Sequence, residues 1–330
     1  MKRIATGLLL TAMVVCVGCG KDFYARQIIE HGTNAYNTML MRVAGSAESL
    51  LKQKRIDAHR TIAGAEGTKI DVWVIKAKGN RADVRGTALL LHGLSESKAQ
   101  YLGAGTNLAR MGYDVVLPDL RAHGRSRGLY VTYGALEKLD VKAVMDNLIG
   151  SGTVHKDVYV FGATLGAATA IQYAALDTRC KGVLALTPYK DAPSIARRRI
   201  ALLAPTMSEQ DFEDVLARAG QLAHFEPHKT STELAAVTVQ CPLLLVHGLL
   251  DMSVPLDHSR AILAAAAGPR KLIVVTPGPE QIALAAVLER WIADKLDALA
   301  RTGLKEEPTA PKPPTTEPAS RPTTKPAPKT

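Results

Sequence analysis

An α/β fold with a doubly wound, mostly parallel eight-stranded sheet is predicted for residues 55–301 by three observations. Short apolar runs of strand length alternate with helical segments along this region. One run, residues 158–161, leads through the turn GATLG (residues 162–166) into an Ala-rich helical stretch. The alternation is interrupted by residues 190–229, whose Arg-rich helical pattern predicts a small helical cap.

The elements follow from these patterns in chain order. Residues 19–54 form a lead-in with a helical pattern from residue 23, and residues 55–62 and 69–77 predict an antiparallel opening pair of strands. The later strands are almost entirely apolar, as strands buried on both faces are. They are predicted at residues 87–91, 114–117, 158–161, 182–186, 242–246 and 271–276. Helices are predicted near residues 136–148 and 282–300, with another ending at 107–111.

The first 18 residues have the pattern of an export signal rather than of a folded element. Lys2 and Arg3 precede an apolar stretch, residues 4–15, that is too short to span a bilayer. The following CVGCG resembles a bacterial lipobox, which implies a mature chain that begins at a lipidated Cys19. Gly20, rather than Asp, then favours the outer membrane, facing the periplasm. A plain secretory signal is the alternative.

The C-terminal segment and the overall charge limit the functions that the sequence predicts. Residues 302–330 hold eight of the 18 prolines and no apolar period, which predicts a disordered tail whose partner stays open. The net charge of +10 is spread along the chain, and aromatic residues make up 5%. This composition argues against a nucleic-acid surface. No cofactor or metal site is predicted.

Two cysteines remain in the exported domain. Cys180 precedes the predicted strand 182–186, and Cys241 precedes the strand 242–246. Neighbouring parallel strands would bring the two thiols to the same edge of the sheet, and an oxidising compartment permits a disulfide. Two buried free thiols are the equally weighted alternative.

Four motifs in order carry a family resemblance. They are LLLHG (89–93), PDLRAHGRS (118–126), GATLG (162–166) and HGLLDMSVP (247–255). Together they resemble the serine aminopeptidase/monoacylglycerol-lipase branch of the α/β-hydrolase family, over residues 55–301. The resemblance implies the α/β-hydrolase fold with a cap between the sixth and seventh strands. It also implies a site built from a nucleophile, an imidazole, a carboxylate and two oxyanion-binding amides.

The resemblance assigns a residue to each of these roles. Thr164 occupies the position of the nucleophilic serine, and Asp251 occupies that of the acid. The backbone amides of Leu94 and Leu165 take the places of the oxyanion donors. Asp251 has a structural alternative, as a turn residue that caps the following helix. Thr164 has one as well, a vestigial elbow whose hydroxyl bonds to the backbone.

The histidine position departs from the family pattern. The sequence after the eighth predicted strand is PGPEQ, which puts Gln281 where the catalytic histidine belongs, with Glu280 beside it. The last histidine of the chain is His258. An amide is no proton acceptor, and a carboxylate of ordinary pKa is a weak base for a hydroxyl. Glu280 and His258 are the candidate substitute bases.

Two main functions follow for an exported, lipid-anchored protein. In the first, it is a catalytically degenerate pseudoenzyme. It binds a small acyl, ester or peptide-like ligand, or an envelope protein, through the pocket under the cap, which in active relatives would hold the substrate. In the second, it is an active ester or peptide hydrolase that uses Thr164 with a non-standard base. A purely structural envelope protein, dominated by its tail, is a third possibility.

Overall fold

An eight-stranded sheet forms the centre of the chain in the computed structural model, which describes residues 20–31, 34–276 and 284–304. The strand order across the sheet is β1-β2-β4-β3-β5-β6-β7-β8. Both pairings of β2, with β1 and with β4, are antiparallel, and all other neighbours are parallel. The strands are β1 (Ala58–Ala63), β2 (Lys69–Ile75), β3 (Gly86–Leu91), β4 (Tyr113–Pro118), β5 (Val158–Ala163), β6 (Cys180–Leu186), β7 (Leu243–Gly248) and β8 (Arg270–Val275). The predicted fold class and the antiparallel opening pair are confirmed.

Helices cover both faces of the sheet and form the lead-in and the cap. They are α1 (Lys21–Ile29), α2 (Ala35–Ala44), α3 (Ala47–Lys52), α4 (Leu102–Arg110), α5 (Glu137–Gly150), α6 (Leu165–Ala174), α7 (Ala192–Leu203), α8 (Glu209–Ala223), α9 (Thr232–Ala236), α10 (Leu256–Ala265) and α11 (Leu284–Thr302). Short 3₁₀ turns lie at Ala65–Gly67, Arg81–Asp83, Lys98–Tyr101 and Pro227–Lys229. The interruption predicted at residues 190–229 is α7, α8 and the last of these turns.

The apolar runs of the strands fill two cores, one on each side of the sheet. In β3, Leu89 and Leu91 point into the core beneath α5 and α6, whereas Ala88 and Leu90 point into the core beneath α4 and α11. Successive side chains of a strand point to opposite faces, so a strand buried on both sides must be apolar throughout. This is why the central strands lack the alternating polar residues of a half-exposed sheet.

The lead-in also contributes to the packing of the cap, because α1 lies between the cap helices and the sheet domain. Ala25, Ile28 and Ile29 of α1 are fully buried in the same core as the cap helices. At the start of α1, Lys21 pairs with Asp214 of α8. The N-terminal helix therefore holds the cap to the sheet domain.

Within the described ranges, no helix combines the length and the apolar character that crossing a bilayer requires.

Candidate active site

Thr164 occupies a sharp turn between β5 and α6. Its backbone has φ 45° and ψ −102°, a region that non-glycine residues rarely adopt and that costs on the order of 1–3 kcal/mol. The surrounding chain holds it there: the Thr164 N–H donates to the Leu186 carbonyl over 2.9 Å, and the Ala168 N–H donates to the Thr164 carbonyl over 3.0 Å. The turn thus presents the threonine side chain at the C-terminal edge of the sheet, as a nucleophile elbow does.

The two glycines of GATLG are required by close backbone contacts. A Cβ atom at Gly162 would lie 2.1 Å from the Gly166 carbonyl oxygen. A Cβ atom at Gly166 would lie 2.3 Å from the Leu91 carbonyl oxygen at the end of β3. No side chain fits at either position without moving the backbone. The geometry of the elbow therefore requires glycine at both ends of the G-x-T-x-G motif.

The loop after β3 brings one predicted oxyanion donor to the elbow. The Leu94 N–H donates a hydrogen bond to Thr164 Oγ1 over 3.2 Å. Leu165 is the first residue of α6, where backbone N–H groups have no partner within the helix. The structure thus brings Thr164 and Leu94 into contact, and it puts the Leu165 amide next to Thr164 along the chain.

Glu96 is a site residue that the sequence reasoning missed. Its Oε2 accepts hydrogen bonds from the Gly93 N–H at 2.7 Å and from the Tyr101 hydroxyl at 3.3 Å. A Cβ atom built on Gly93 would lie within 3.0 Å of both Glu96 Oε2 and Thr164 Oγ1. The carboxylate is therefore a near neighbour of the elbow hydroxyl. Burial raises its pKa above the usual range for glutamate. The sequence feature that could have identified Glu96 is its place three residues after Gly93, in the loop that follows β3.

His92 and His123 use both ring nitrogens to hold the loops around the site. The His92 ring donates to the Gly93 carbonyl over 2.8 Å and accepts the Leu120 N–H over 2.9 Å. The His123 ring accepts the Ser95 N–H over 3.0 Å and donates to a carbonyl of its own loop. Burial lowers the pKa of both imidazoles. Both rings are therefore neutral anchors of backbone.

The loop after β7 contains two more of the predicted residues. Asp251 Oδ1 accepts the N–H groups of Ser253 at 2.7 Å and Val254 at 2.9 Å, so this carboxylate closes a local turn. His258, on α10, accepts the Lys190 N–H at Nδ1 over 3.1 Å, and burial lowers its pKa. Neither side chain hydrogen-bonds to the elbow hydroxyl.

All nine histidines of the chain fall within the described residues, and none hydrogen-bonds to Thr164. The rings of His31, His59, His155 and His228 bond to a backbone atom or a carboxylate, and that of His247 bonds to Ser259 Oγ and to the Val254 carbonyl. Gln281 and Glu280, which occupy the family's histidine region, lie outside the described residues. So do Cys19 and most of the tail.

The cap touches the site from the side of the acid loop. The Arg198 guanidinium of α7 donates to the Met252 carbonyl over 3.0 Å, next to Asp251. A cavity of about 560 Å³ lies at the outer end of the cap, between Gln221 in α8 and His228 in the following turn. Its lining does not include Thr164.

The two thiols of the domain lie side by side at the N-terminal ends of β6 and β7. Cys180 Sγ and Cys241 Sγ are 3.8 Å apart and are not bonded to each other. Contact with Cys241 and burial raise the pKa of the Cys180 thiol. The predicted proximity of the two residues is present, and the disulfide itself stays a prediction.

Comparisons of sequence find similar proteins over much of the domain. Residues 82–210 match the family model described as serine aminopeptidase, S33. The uncharacterized protein YqkD of Bacillus subtilis is 22% identical over 247 residues, which cover 70% of this chain and 79% of YqkD. The uncharacterized protein YfhR of Escherichia coli K12 is 24% identical over 215 residues, which cover 64% of this chain and 69% of YfhR.

Solved structures give the same result for the fold. The esterase Pf2001 of Pyrococcus furiosus aligns with a TM-score of 0.59 at 22% identity, over 76% of this chain and 93% of its own. Est1E of Butyrivibrio proteoclasticus, solved with ferulic acid, aligns with a TM-score of 0.56 at 17% identity, over 73% of this chain and 100% of its own. At these identities the likeness concerns the fold, and it shows that this chain has the α/β-hydrolase fold.

Proposed function

We propose that the protein is a lipid-anchored protein of the bacterial envelope that uses its α/β-hydrolase site to bind a small acyl, ester or peptide-like ligand, or a protein partner, without efficient turnover. The observation that carries this proposal is the lack of any hydrogen bond between Thr164 and the nine histidines. A hydroxyl without a base stays protonated near neutral pH and is a poor nucleophile.

The binding half of the site supports the same proposal. The Leu94 amide already binds an oxygen atom, the Thr164 hydroxyl, and a ligand carbonyl that displaces this hydroxyl would accept the same bond. Asp251 accepts two amides of its own loop, which is a structural use of the acid position. A carbonyl-binding site can survive these changes because its donors belong to the backbone.

A fluorophosphonate probe tests the proposal directly. An activated hydroxyl attacks the phosphorus atom and retains the probe, whereas a protonated hydroxyl leaves the protein unlabelled. We expect labelling of the purified mature protein to equal that of Thr164→Ala. Wild-type labelling that disappears in Thr164→Ala would overturn the pseudoenzyme proposal.

A second function, hydrolysis of an ester or peptide by Thr164 with a non-standard base, is favoured by one observation. Glu96 Oε2 and Thr164 Oγ1 both lie within 3.0 Å of the position that a Cβ atom on Gly93 would take, and burial raises the pKa of Glu96. In this mechanism Glu96 takes the hydroxyl proton as Thr164 Oγ1 bonds to the carbonyl carbon, and returns it to the leaving group as the scissile bond breaks. Water, deprotonated by the same carboxylate, then cleaves the Thr164 ester, and the proton goes back to Oγ1. Glu280 and His258 remain the other candidate bases.

Glu96→Gln separates the two functions. Gln keeps an oxygen that can accept the Gly93 N–H, but it cannot take a proton. If the protein is a hydrolase with this base, the variant loses turnover by a factor on the order of 10² or more. If the protein is a pseudoenzyme, wild type and Glu96→Gln show the same background rate.

A further inference from the structure

The helix α2 carries its large apolar side chains on the outside. Tyr36, Met39 and Val43 are 54%, 53% and 74% exposed, and their spacing of three and four residues puts them on one helix face. Towards the core, Asn37 is 2% exposed, and Leu40, Met41 and Ala44 are half-buried. Three large apolar side chains thus lie on the outer side, which an ordinary surface helix gives to polar residues.

A basic side chain adjoins this outward apolar face. Arg42 is exposed on the same helix, and Arg125 faces it across a depression of about 310 Å³ that Thr38 and Met41 line on the other flank of the helix. Within the described parts of the chain, neither guanidinium forms a salt bridge. Apolar and aromatic groups next to unpaired arginines are the composition that binds the interface of an anionic bilayer.

The chain leading to this face begins at the proposed anchor. Cys19 directly precedes Gly20, and α1 starts at Lys21. Asp22 of α1 accepts a bond of 2.6 Å from Arg218 of the cap, so the folded domain begins without a flexible linker. Since α1 has nine residues, it spans only about 13 Å. A lipid on Cys19 therefore holds the N-terminal side of the domain close to the bilayer.

We propose that the outer face, defined as Tyr36, Met39 and Val43 with Arg42, docks on the anionic phospholipid surface in which the Cys19 acyl chains are embedded. This inference rests on the lipoprotein part of the proposed function.

Docking of the outer face has a consequence for the site. The Asn34 N–H, at the start of α2, donates to the Ser95 carbonyl over 2.9 Å. Ser95 follows Leu94 in the loop that reaches Thr164. The outer face and the site are thus joined through a single loop, and docking keeps that loop at the level of the lipid head groups.

The test uses the mature chain with Cys19→Ser, which carries no acyl chain, and its flotation with vesicles. We expect it to bind vesicles of phosphatidylcholine and phosphatidylglycerol, to bind pure phosphatidylcholine less, and to be released by salt. Combining Tyr36→Ser, Met39→Ser and Val43→Ser should lower binding by about tenfold. The matched control is Leu176→Ser. Leu176 is 45% exposed and lies between α6 and β6, at the N-terminal ends of the parallel strands. This variant should bind as the parent does.

Thermal unfolding of each variant confirms that the domain is folded. No vesicle binding by the parent, or equal binding by the triple variant, would overturn the proposal. So would a dimer in light scattering that the triple variant converts to a monomer, because the outer face would then be covered by a second copy. Two results together would separate the proposals. If the wild-type chain is not lipidated, the anchor is refuted. If its Cys19→Ser form still binds vesicles through Tyr36, Met39 and Val43, membrane docking by the outer face is supported.

Discussion

The Leu94 N–H donates to Thr164 Oγ1 over 3.2 Å, so a backbone group placed to bind a substrate oxygen is occupied by the elbow's own hydroxyl. In a working hydrolase the hydroxyl also donates its proton to an imidazole. Here the hydroxyl has the oxyanion loop as a partner and no histidine. The predictions on catalysis follow from this difference.

Turnover of p-nitrophenyl butyrate by the wild type should not exceed that of Thr164→Ala, because no imidazole activates the hydroxyl. Combining Thr164→Ser with Gln281→His should raise the rate at least about tenfold, since it supplies a less crowded nucleophile and a base. Thr164→Ser alone is the control and should give little. Robust wild-type hydrolysis that Thr164→Ala abolishes would contradict this expectation.

Gly166→Ala should destabilise the domain by about 3 kcal/mol, because its Cβ would lie 2.3 Å from the Leu91 carbonyl oxygen. Gly150→Ala is the matched control: it lies in α5, and a Cβ there meets nothing within 4 Å. The control should leave stability unchanged or raise it by up to about 1 kcal/mol. Urea denaturation measures both. Equal stabilities would show that the elbow backbone can shift freely.

Stability should fall on acidification through His31. Burial, and then the charge of Arg199, lower its pKa from 6.5 to about 3. The unfolded chain therefore binds a proton below pH 6.5 that the folded chain does not, and the contribution present above pH 6.5 is lost as the pH falls. The expected loss is about 1.4 kcal/mol per pH unit.

The control for this pH dependence is His31→Gln, which keeps a donor for the Ile28 carbonyl but does not titrate. The difference in unfolding free energy between wild type and variant should shrink from pH 7 to pH 5. A pH-independent difference would mean that His31 takes up its proton equally in the folded and unfolded states, and that its pKa is not lowered by folding.

Cys180 and Cys241 should form a disulfide in the exported protein, given their sulfur separation of 3.8 Å. Closing the intervening loop should contribute about 3–4 kcal/mol on chain-entropy grounds. Thiol counting on unreduced, denatured mature protein should find neither thiol free. Two reactive thiols would settle the question against the bridge.

If Gly18-Cys19 completes a lipobox, as proposed, Cys19→Ser should leave the protein unprocessed or release it from membranes that are washed with salt to remove contacts of the outer face. Fractionation and the mass of the mature N-terminus measure this. A normally processed variant that stays bound through acyl chains would exclude lipidation at this residue.

Local patterns were enough to predict the sheet and the elbow. Apolar strands such as 87–91 leave few alternatives, and the spacing of Gly162 and Gly166 is a local pattern that predicts the turn. Glu96 escaped prediction because its role depends on the Gly93 amide and on a hydroxyl from β5, contacts that only the folded loop creates. The buried position of α1 escaped for the same reason, since its partner helix lies in the cap.

The placement of α1 also sets the order in which the chain can fold. Lys21 and Asp22 are separated from their partners Asp214 and Arg218 by 193 and 196 residues. If the chain is exported as proposed, its first helix leaves the translocon long before the cap and can bury Ile28 and Ile29 only once the cap is present. Contacts this distant in sequence form late and slowly. If the lipid is attached before folding is complete, the cap packs onto a helix α1 that is already tethered to the membrane. The last step of folding then takes place at the bilayer surface.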